Sequence, residues 1–342
     1  MRAMLLLSIL LLPLCALAQE PASTADATAE IAEPGTRIES PSRSALYEQA
    51  LERKLPTQEQ RKLDFNGESQ LGLYMPAARP EGLGGVLLIA GPGEHADWPN
   101  LIAPLRRQLS DAGWNTLSIG LPDSPPLPDS ALNDTPTDNT DPQDGAVEQG
   151  LQAADNQPDQ APPAEDAAAD YATRCTQLIQ AAWKVLSAEG NEYITVIARD
   201  ASGYWALRAA SPPVSGQPPQ ALILFQPREP ELADQPTFQL LLEQWDKPLL
   251  ELINSGSAQG EIQAREHQRI AQRAGHDQYK QWDTDYLQDS MLAEDMLQKR
   301  IEGWLERLVE TQAAGSTASA KATTPHPALA VTLSAASCAD PS

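Results

Sequence analysis

One stretch limits the possible folds of this chain more than any other. It is EYITVIARDASGYWALRAAS, Glu192 to Ser211. Tyr193 to Ala198 form an almost continuous apolar run, the signature of a strand buried on both faces, as strands of parallel sheets are. The chain turns sharply at Arg199-Asp200-Ala201, reads as helix from about Ser202, and is stopped by Pro212-Pro213. A buried strand that feeds a helix needs parallel neighbours, so the rest of the sequence should supply them.

It does. Leu63 to Met75 reads as two strands around Asn66-Gly67, a strong hairpin turn signal. Val86 to Ala90 is a short apolar strand leading into Gly91-Pro92-Gly93. Leu101, Ile102, Leu105 and Leu109 recur at helical spacing up to Gly113. Further strands are predicted at Trp114–Leu121, Ala221–Phe225, Leu249–Ile253 and Tyr279–Trp282. Helices are predicted over Ser44–Leu55, over Tyr171–Leu186, near Phe238–Trp245, over Glu261–Arg273 and through Leu297–Leu308. Alternating strands and helices predict an α/β class: a mostly parallel sheet covered by helices on both faces.

Other segments fall outside this pattern. Arg2, the apolar stretch Met4–Leu14 and Ala16-Leu17-Ala18 read as a secretory signal peptide over residues 1–18, which places the mature protein in the periplasm. Leu12-Pro13-Leu14 lacks the small residue that a lipidation site requires before Cys15. No stretch is long and apolar enough for a transmembrane helix. Residues 19–43 form a polar linker too poor in apolar residues to order itself, and 311–342 a similar tail. Residues 122–170 hold twelve Asp or Glu, nine Pro and no Lys or Arg, which predicts a disordered acidic insertion within a domain spanning 44–310. The formal charge of −23 disfavours nucleic acid as a partner, because binding phosphates needs clustered cations. Beyond the signal only Cys175, on a helix face, and Cys338, in the tail, remain; a bridge between them is allowed in an oxidising compartment, with a buried, inert Cys175 as the simpler reading. Neither has metal-ligand spacing, and no cofactor is implied.

The order of two hairpin strands, a strand ending in a Gly-rich loop, a helix, a strand, and then strand–turn–helix resembles that of α/β-hydrolases. More closely, GPGEHADWPNLIAPLRRQLSDAGWNTLSIGLPD and REHQRIAQRAGHDQYKQW resemble an uncharacterised secreted proteobacterial family placed among α/β-hydrolase-like proteins. The resemblance implies the fold and the compartment. It implies no activity.

A nucleophile elbow needs small residues two before and two after the nucleophile. Ala198 and Ser202 satisfy this around Asp200; Ser202 itself would have Asp200 and Tyr204 as its neighbours. Asp200 therefore has two readings: a carboxylate nucleophile of the kind found in haloalkane dehalogenases and epoxide hydrolases, or a residue capping the helix that follows. The general base of this fold lies after the last strand. The only histidine there is His326, deep in the tail, while His276 falls just before that strand and His267 reads as a surface residue of a helix. After Leu249–Ile253 no carboxylate appears until Glu261. Gly91, Gly93, Glu94 and Ala201 mark the ligand or oxyanion loop, but Pro92 lacks an N–H and Glu94 brings a negative charge to where one must develop. His95 has Asp97 close by to orient it.

The reading is an exported α/β-hydrolase-like protein with a degenerate catalytic apparatus, acting as a binding or envelope-associated module. A small-molecule ligand near Gly93, His95, Asp200 and Ala201, or an envelope protein, would be its partner. The alternatives are a periplasmic hydrolase of the ester, haloalkane or epoxide class, with Asp200 as nucleophile and His276 or His95 as base, and an adaptor that captures basic proteins through the acidic insertion.

Overall fold

The computed structural model describes residues 41–125, 164–212, 214, 217–232, 234–285 and 293–322. Helix α1 (Arg43–Lys54) is capped by Ser42, whose hydroxyl accepts the Ala45 N–H. Strands β1 (Gln60–Phe65) and β2 (Glu68–Met75) pair antiparallel around Asn66 and Gly67, whose φ values of 48° and 78° suit a tight hairpin turn. Five strand–helix alternations follow: β3 (Gly85–Ile89), α2 (Ile102–Ala112), β4 (Asn115–Ile119), α3 (Ala164–Ala188), β5 (Ile194–Arg199), α4 (Ala201–Ala210), β6 (Ala221–Phe225), α5 (Phe238–Gln244), β7 (Leu249–Ile253) and α6 (Ala258–Arg273). Strand β8 (Tyr279–Asp283) and helix α7 (Ala293–Ala322) complete the described chain.

The strands form one eight-stranded sheet in the order β1-β2-β4-β3-β5-β6-β7-β8. All pairs from β4 to β8 are parallel, and β2 alone joins the antiparallel hairpin to them. This is the mostly parallel α/β-hydrolase-like sheet expected from the sequence. Both faces are covered because successive side chains alternate. Leu87, Ile89, Val196 and Leu222 face α3, α4 and α5, whereas Val86, Leu88, Ile197 and Ile223 face α2 and α7. Burying one such side chain fully contributes about 1.5–3 kcal/mol.

Two boundaries differ from the sequence reading. Helix α3 begins at Ala164, inside the stretch read as disordered, because Ala167, Ala168 and Ala169 favour helix and Ala168 is buried against the core. Helix α7 continues past Glu310 to Ala322. The signal segment, most of the linker, the rest of the acidic insertion (126–163) and the tail from 323 lie outside the described residues. Cys175 is a free, fully buried thiol that burial pushes up to about 12, while Cys338 lies outside the described residues. Among the described residues no helix is long and apolar enough to cross a membrane.

Candidate functional site

In a parallel sheet the carboxyl ends of the strands share one edge, where α/β proteins place their ligands. Asp200 lies at that edge, immediately after β5. Its φ of 55° and ψ of −138° are outside the regions open to L-residues, and its side chain makes no capping hydrogen bond to α4. The capping reading is therefore corrected: the backbone adopts a strained elbow. The turn is held by the Asp200 N–H donating to Phe225 O at 2.8 Å and the Gly203 N–H donating to Asp200 O at 2.9 Å. The Asp200 carboxylate faces Arg228 Nε at 3.4 Å. Ser202 is fully buried and donates its hydroxyl to Ala90 O at 2.5 Å, tying α4 to β3.

The loop after β3 is occupied by its own side chains. The Gly91 N–H, expected as a donor of the ligand loop, donates to Glu94 Oε2 at 2.8 Å. Glu94 Oε1 is held by Arg199 at 3.1 Å. Gly93 has φ 72°, and a Cβ there would lie 2.7 Å from the Arg43 guanidinium. Ala201 opens α4 beside Asp200.

His95 shares this edge, but its surroundings differ from those expected. Its Nδ1 accepts the Asp97 backbone N–H at 3.2 Å, and its ring packs edge-on to Tyr47 and Trp98. The Asp97 carboxylate, expected to orient it, binds Arg106 and Arg107 instead. Burial lowers the His95 pKa from its usual value, so the ring is neutral at pH 7. With Glu48 it lines a cavity of about 20 Å³, room for one water.

Glu48 is unusual. Burial pushes its carboxyl from 4.5 up to about 7, against the pull of the Leu71 N–H it accepts. A raised acid favours the folded state fully below the unfolded value of 4.5, and that contribution is lost as pH rises through about 7. Glu48→Gln should therefore be the more stable protein at pH 8, by roughly 1–2 kcal/mol after allowing for solvent screening. Urea midpoints of the two proteins should converge below pH 4.5; a constant gap at every pH would refute this.

His276 cannot serve Asp200. It precedes β8, which is parallel to β5, so it lies at the amino edge of the sheet and Asp200 at the carboxyl edge. Strands of five or six residues separate these edges by about 15–20 Å. Both its ring nitrogens are buried with no hydrogen-bond partner among the described residues, and burial lowers its pKa. After β7 and β8, where the acid and base of this fold belong, Ser255 donates its hydroxyl to Asp283, which also accepts the Ser255 and Asp285 backbone N–H groups. Desolvation pushes the Asp283 carboxyl up, but these hydrogen bonds outweigh it and hold the group below 3.8. The sequence from Thr284 to Leu292 contains no histidine.

A cavity of 740 Å³ lies beside the elbow rather than beneath it, between α5, α6 and the ends of β6 and β7. Gly93, His95, Asp200 and Ala201, the expected ligand pocket, do not line it. His267 and Glu251 do. His267 is buried, not a surface residue, and its Nδ1 lies 2.8 Å from Glu251 Oε1. Among the described residues no cluster of three or more His, Cys, Asp or Glu could hold a metal ion.

Residues 2–307 match the family described as "Protein of unknown function (DUF3530)". The chain belongs to that family. No curated protein matches its sequence. Among solved structures it is similar to an esterase of Pyrococcus furiosus at 12% identity and a TM-score of 0.46, covering 72% of this chain and 90% of that one. It is also similar to the apo form of Thermogutta terrifontis esterase 2 at 12% identity and a TM-score of 0.47, covering 73% and 94%. A third similarity is to the esterase domain of a Rhodothermus marinus protein at 13% identity and a TM-score of 0.44, covering 72% and 97%.

In this family member the elbow keeps its shape at a cost. A non-glycine residue in such a conformation costs about 1–3 kcal/mol, more than the exposed Arg228 pair returns. Asp200→Gly relieves the strain and gives back part of the gain through a freer unfolded chain. The expected result is a net stabilisation of about 1 kcal/mol by urea unfolding. A lower midpoint would show that the elbow is not strained.

Proposed function

We propose that this chain is an exported α/β-hydrolase-fold protein that no longer performs triad hydrolysis and acts as a binding module of the bacterial envelope. The observation that carries this reading is the carboxyl edge of β7 and β8. Ser255 and Asp283 bind each other where an acid and a histidine would meet, and among the described residues Asp200 has a guanidinium partner and no histidine bonded to it. Glu94 adds to this by taking the Gly91 N–H. Arg2, the apolar Met4–Leu14 and Ala16-Leu17-Ala18 support export to the periplasm. Cell fractionation tests that part: cytoplasmic retention of the full chain would overturn it.

One observation favours the hydrolase reading, the strained backbone of Asp200. In that reading the carboxylate displaces a leaving group from carbon, forming an ester on Asp200 with a haloalkane or epoxide and a mixed anhydride with an ester substrate, and water must then cleave it. Water needs a base, and no hydrogen bond joins His95 to Asp200 among the described residues. A panel of p-nitrophenyl acetate, 1-bromobutane and styrene oxide, assayed with wild type beside Asp200→Ala, separates the two. We expect the proteins to be indistinguishable, with no adduct on the Asp200 peptide by mass spectrometry. Turnover abolished by Asp200→Ala would establish the hydrolase instead. The adaptor reading concerns the acidic segment, which lies outside the described residues; deleting 126–163 should leave ligand binding by the folded domain intact.

A further inference from the structure

We infer that the cleft between α5 and α6 binds a neutral, hydroxyl-rich ligand of the saccharide class, with His267 Nε2 as the hydrogen-bond acceptor in its wall. This rests on the binding-module reading and supplies its ligand chemistry.

The wall is built around Glu251. It is 2% exposed within β7 and accepts from His267, from the Tyr279 hydroxyl, and from Gln281 Nε2 at 3.3 Å. A carboxylate can only accept, so His267 Nδ1 carries a proton, and in the neutral tautomer that this fixes the lone pair sits on Nε2. Phe238 packs on the imidazole at 4.5 Å between ring centroids, which limits its rotation. Nε2 has no hydrogen-bond partner among the described residues and is not sealed from solvent, and the residue lines the cleft. The result is an oriented acceptor with nothing to accept from.

Charge then narrows the ligand. The lining includes Arg228, Glu229, Glu251 and Glu266 as its fixed charges. Arg228 is paired with Asp200, Glu229 accepts the Phe238 N–H at 2.5 Å, and Glu266 is paired with Arg269 at 2.7 Å. An anion would meet three carboxylates and one guanidinium already engaged. A cation would find every carboxylate partnered. The excess of carboxylates disfavours an anion, and a cation gains least from Glu251, whose buried network it would have to break.

The groups left over suit hydroxyls. Gln226 and Gln259 line the cleft with amides that make no side-chain hydrogen bond among the described residues. Thr237 and Ser257 each accept a backbone N–H, at 3.2 and 3.0 Å, and keep an O–H to donate. Phe238, Ile253 and Ile262 supply apolar surface for the C–H faces of a ring. A cavity of 740 Å³ is within the range of small-molecule sites, about 300–1,000 Å³. Its place beside the carboxyl ends of β6 and β7 is where α/β sheets take ligands.

The test is NMR of the full chain with ¹³C-labelled histidine. Cellobiose, maltose and N,N′-diacetylchitobiose are titrated first, then inorganic phosphate and ethylammonium. We expect at least one saccharide to move the His267 signal saturably below about 10 mM, leaving the other three histidines unmoved. His267→Gln should weaken that saccharide about 10-fold, the size of one ligand hydrogen bond, and Gln259→Ala, at the helix end, should weaken it without changing the urea midpoint. No shift from any saccharide, or tighter binding of phosphate or ethylammonium, overturns the inference. The same preparation is assayed for turnover of p-nitrophenyl acetate. Thus ester turnover would defeat the binding-module reading, whereas a silent His267 would defeat only the ligand assignment.

Discussion

Arg106→Ala should lower the unfolding free energy by about 3–5 kcal/mol, read as a fall in the urea midpoint at unchanged slope. The Arg106 side chain is 1% exposed on the inner face of α2 and reaches two carboxylates. Its Nη1 meets Glu59 at 2.7 Å and its Nη2 meets Asp97 at 3.0 Å. Removing the guanidinium leaves the buried Asp97 carboxylate with only Arg107, an exposed side chain at 3.4 Å. An uncompensated buried charge, not the loss of a favourable contact, makes the effect large. Arg107→Ala is the internal control, because an exposed partner contributes about 0–1 kcal/mol. The same loss should loosen the loop that begins at Gly91, since Asp97 anchors its end to α2. If Arg106→Ala costs no more than Arg107→Ala, the buried ion pair is not what holds this loop.

Arg106 also shows how the sequence can mislead. Leu101, Ile102, Leu105 and Leu109 mark the apolar face of α2, but 102, 105, 106 and 109 are the positions that share the buried side. Arg106 shares the helical side of Ile102 and Leu109, but a charged residue is rarely buried unless it is paired. Features set by local chemistry were readable. Asn66-Gly67 specified the hairpin, and the apolar runs at Ala221–Phe225 and Leu249–Ile253 match their strands residue for residue. The small residues around Asp200 anticipated the elbow, and the sequence shows His326 as the only histidine after β8. Features set by distant pairing were not. Glu251 interrupts an apolar strand and must find partners if buried, yet nothing local points to His267, sixteen residues on. His267 lies in register with the buried Ala264, Ile270 and Ala271, a stripe too weak in apolar residues to identify the face. The position of His276 followed from topology once β8 proved parallel: a residue before that strand belongs to the opposite edge from a residue after β5.

Glu251→Ala should be as damaging as Arg106→Ala, about 3–5 kcal/mol by urea unfolding, for a different reason. The carboxylate is the common acceptor for the Tyr279 O–H, His267 Nδ1–H and Gln281 Nε2–H. Tyr279 is held protonated, its pKa raised by burial and then by the neighbouring Glu251 charge, so it can donate but cannot take over as an anion. Without the carboxylate, the His267 Nδ1–H loses its partner, and Tyr279 and Gln281 keep only each other at 2.7 Å and, for Gln281, Ala264 O. Glu251→Gln separates shape from charge. It keeps one acceptor oxygen and the side-chain volume, but turns an NH₂ toward a donor, so the expected loss is about 1–3 kcal/mol. The conservative variant should also release the imidazole. With no carboxylate to fix the proton on Nδ1, the His267 ring should populate the other tautomer, visible in its ¹⁵N shifts. That shift is a readout a merely space-filling residue would not move. A Glu251→Ala protein within about 1 kcal/mol of wild type would mean that the buried network is satisfied some other way, and the oriented Nε2 in the cleft would lose its physical basis.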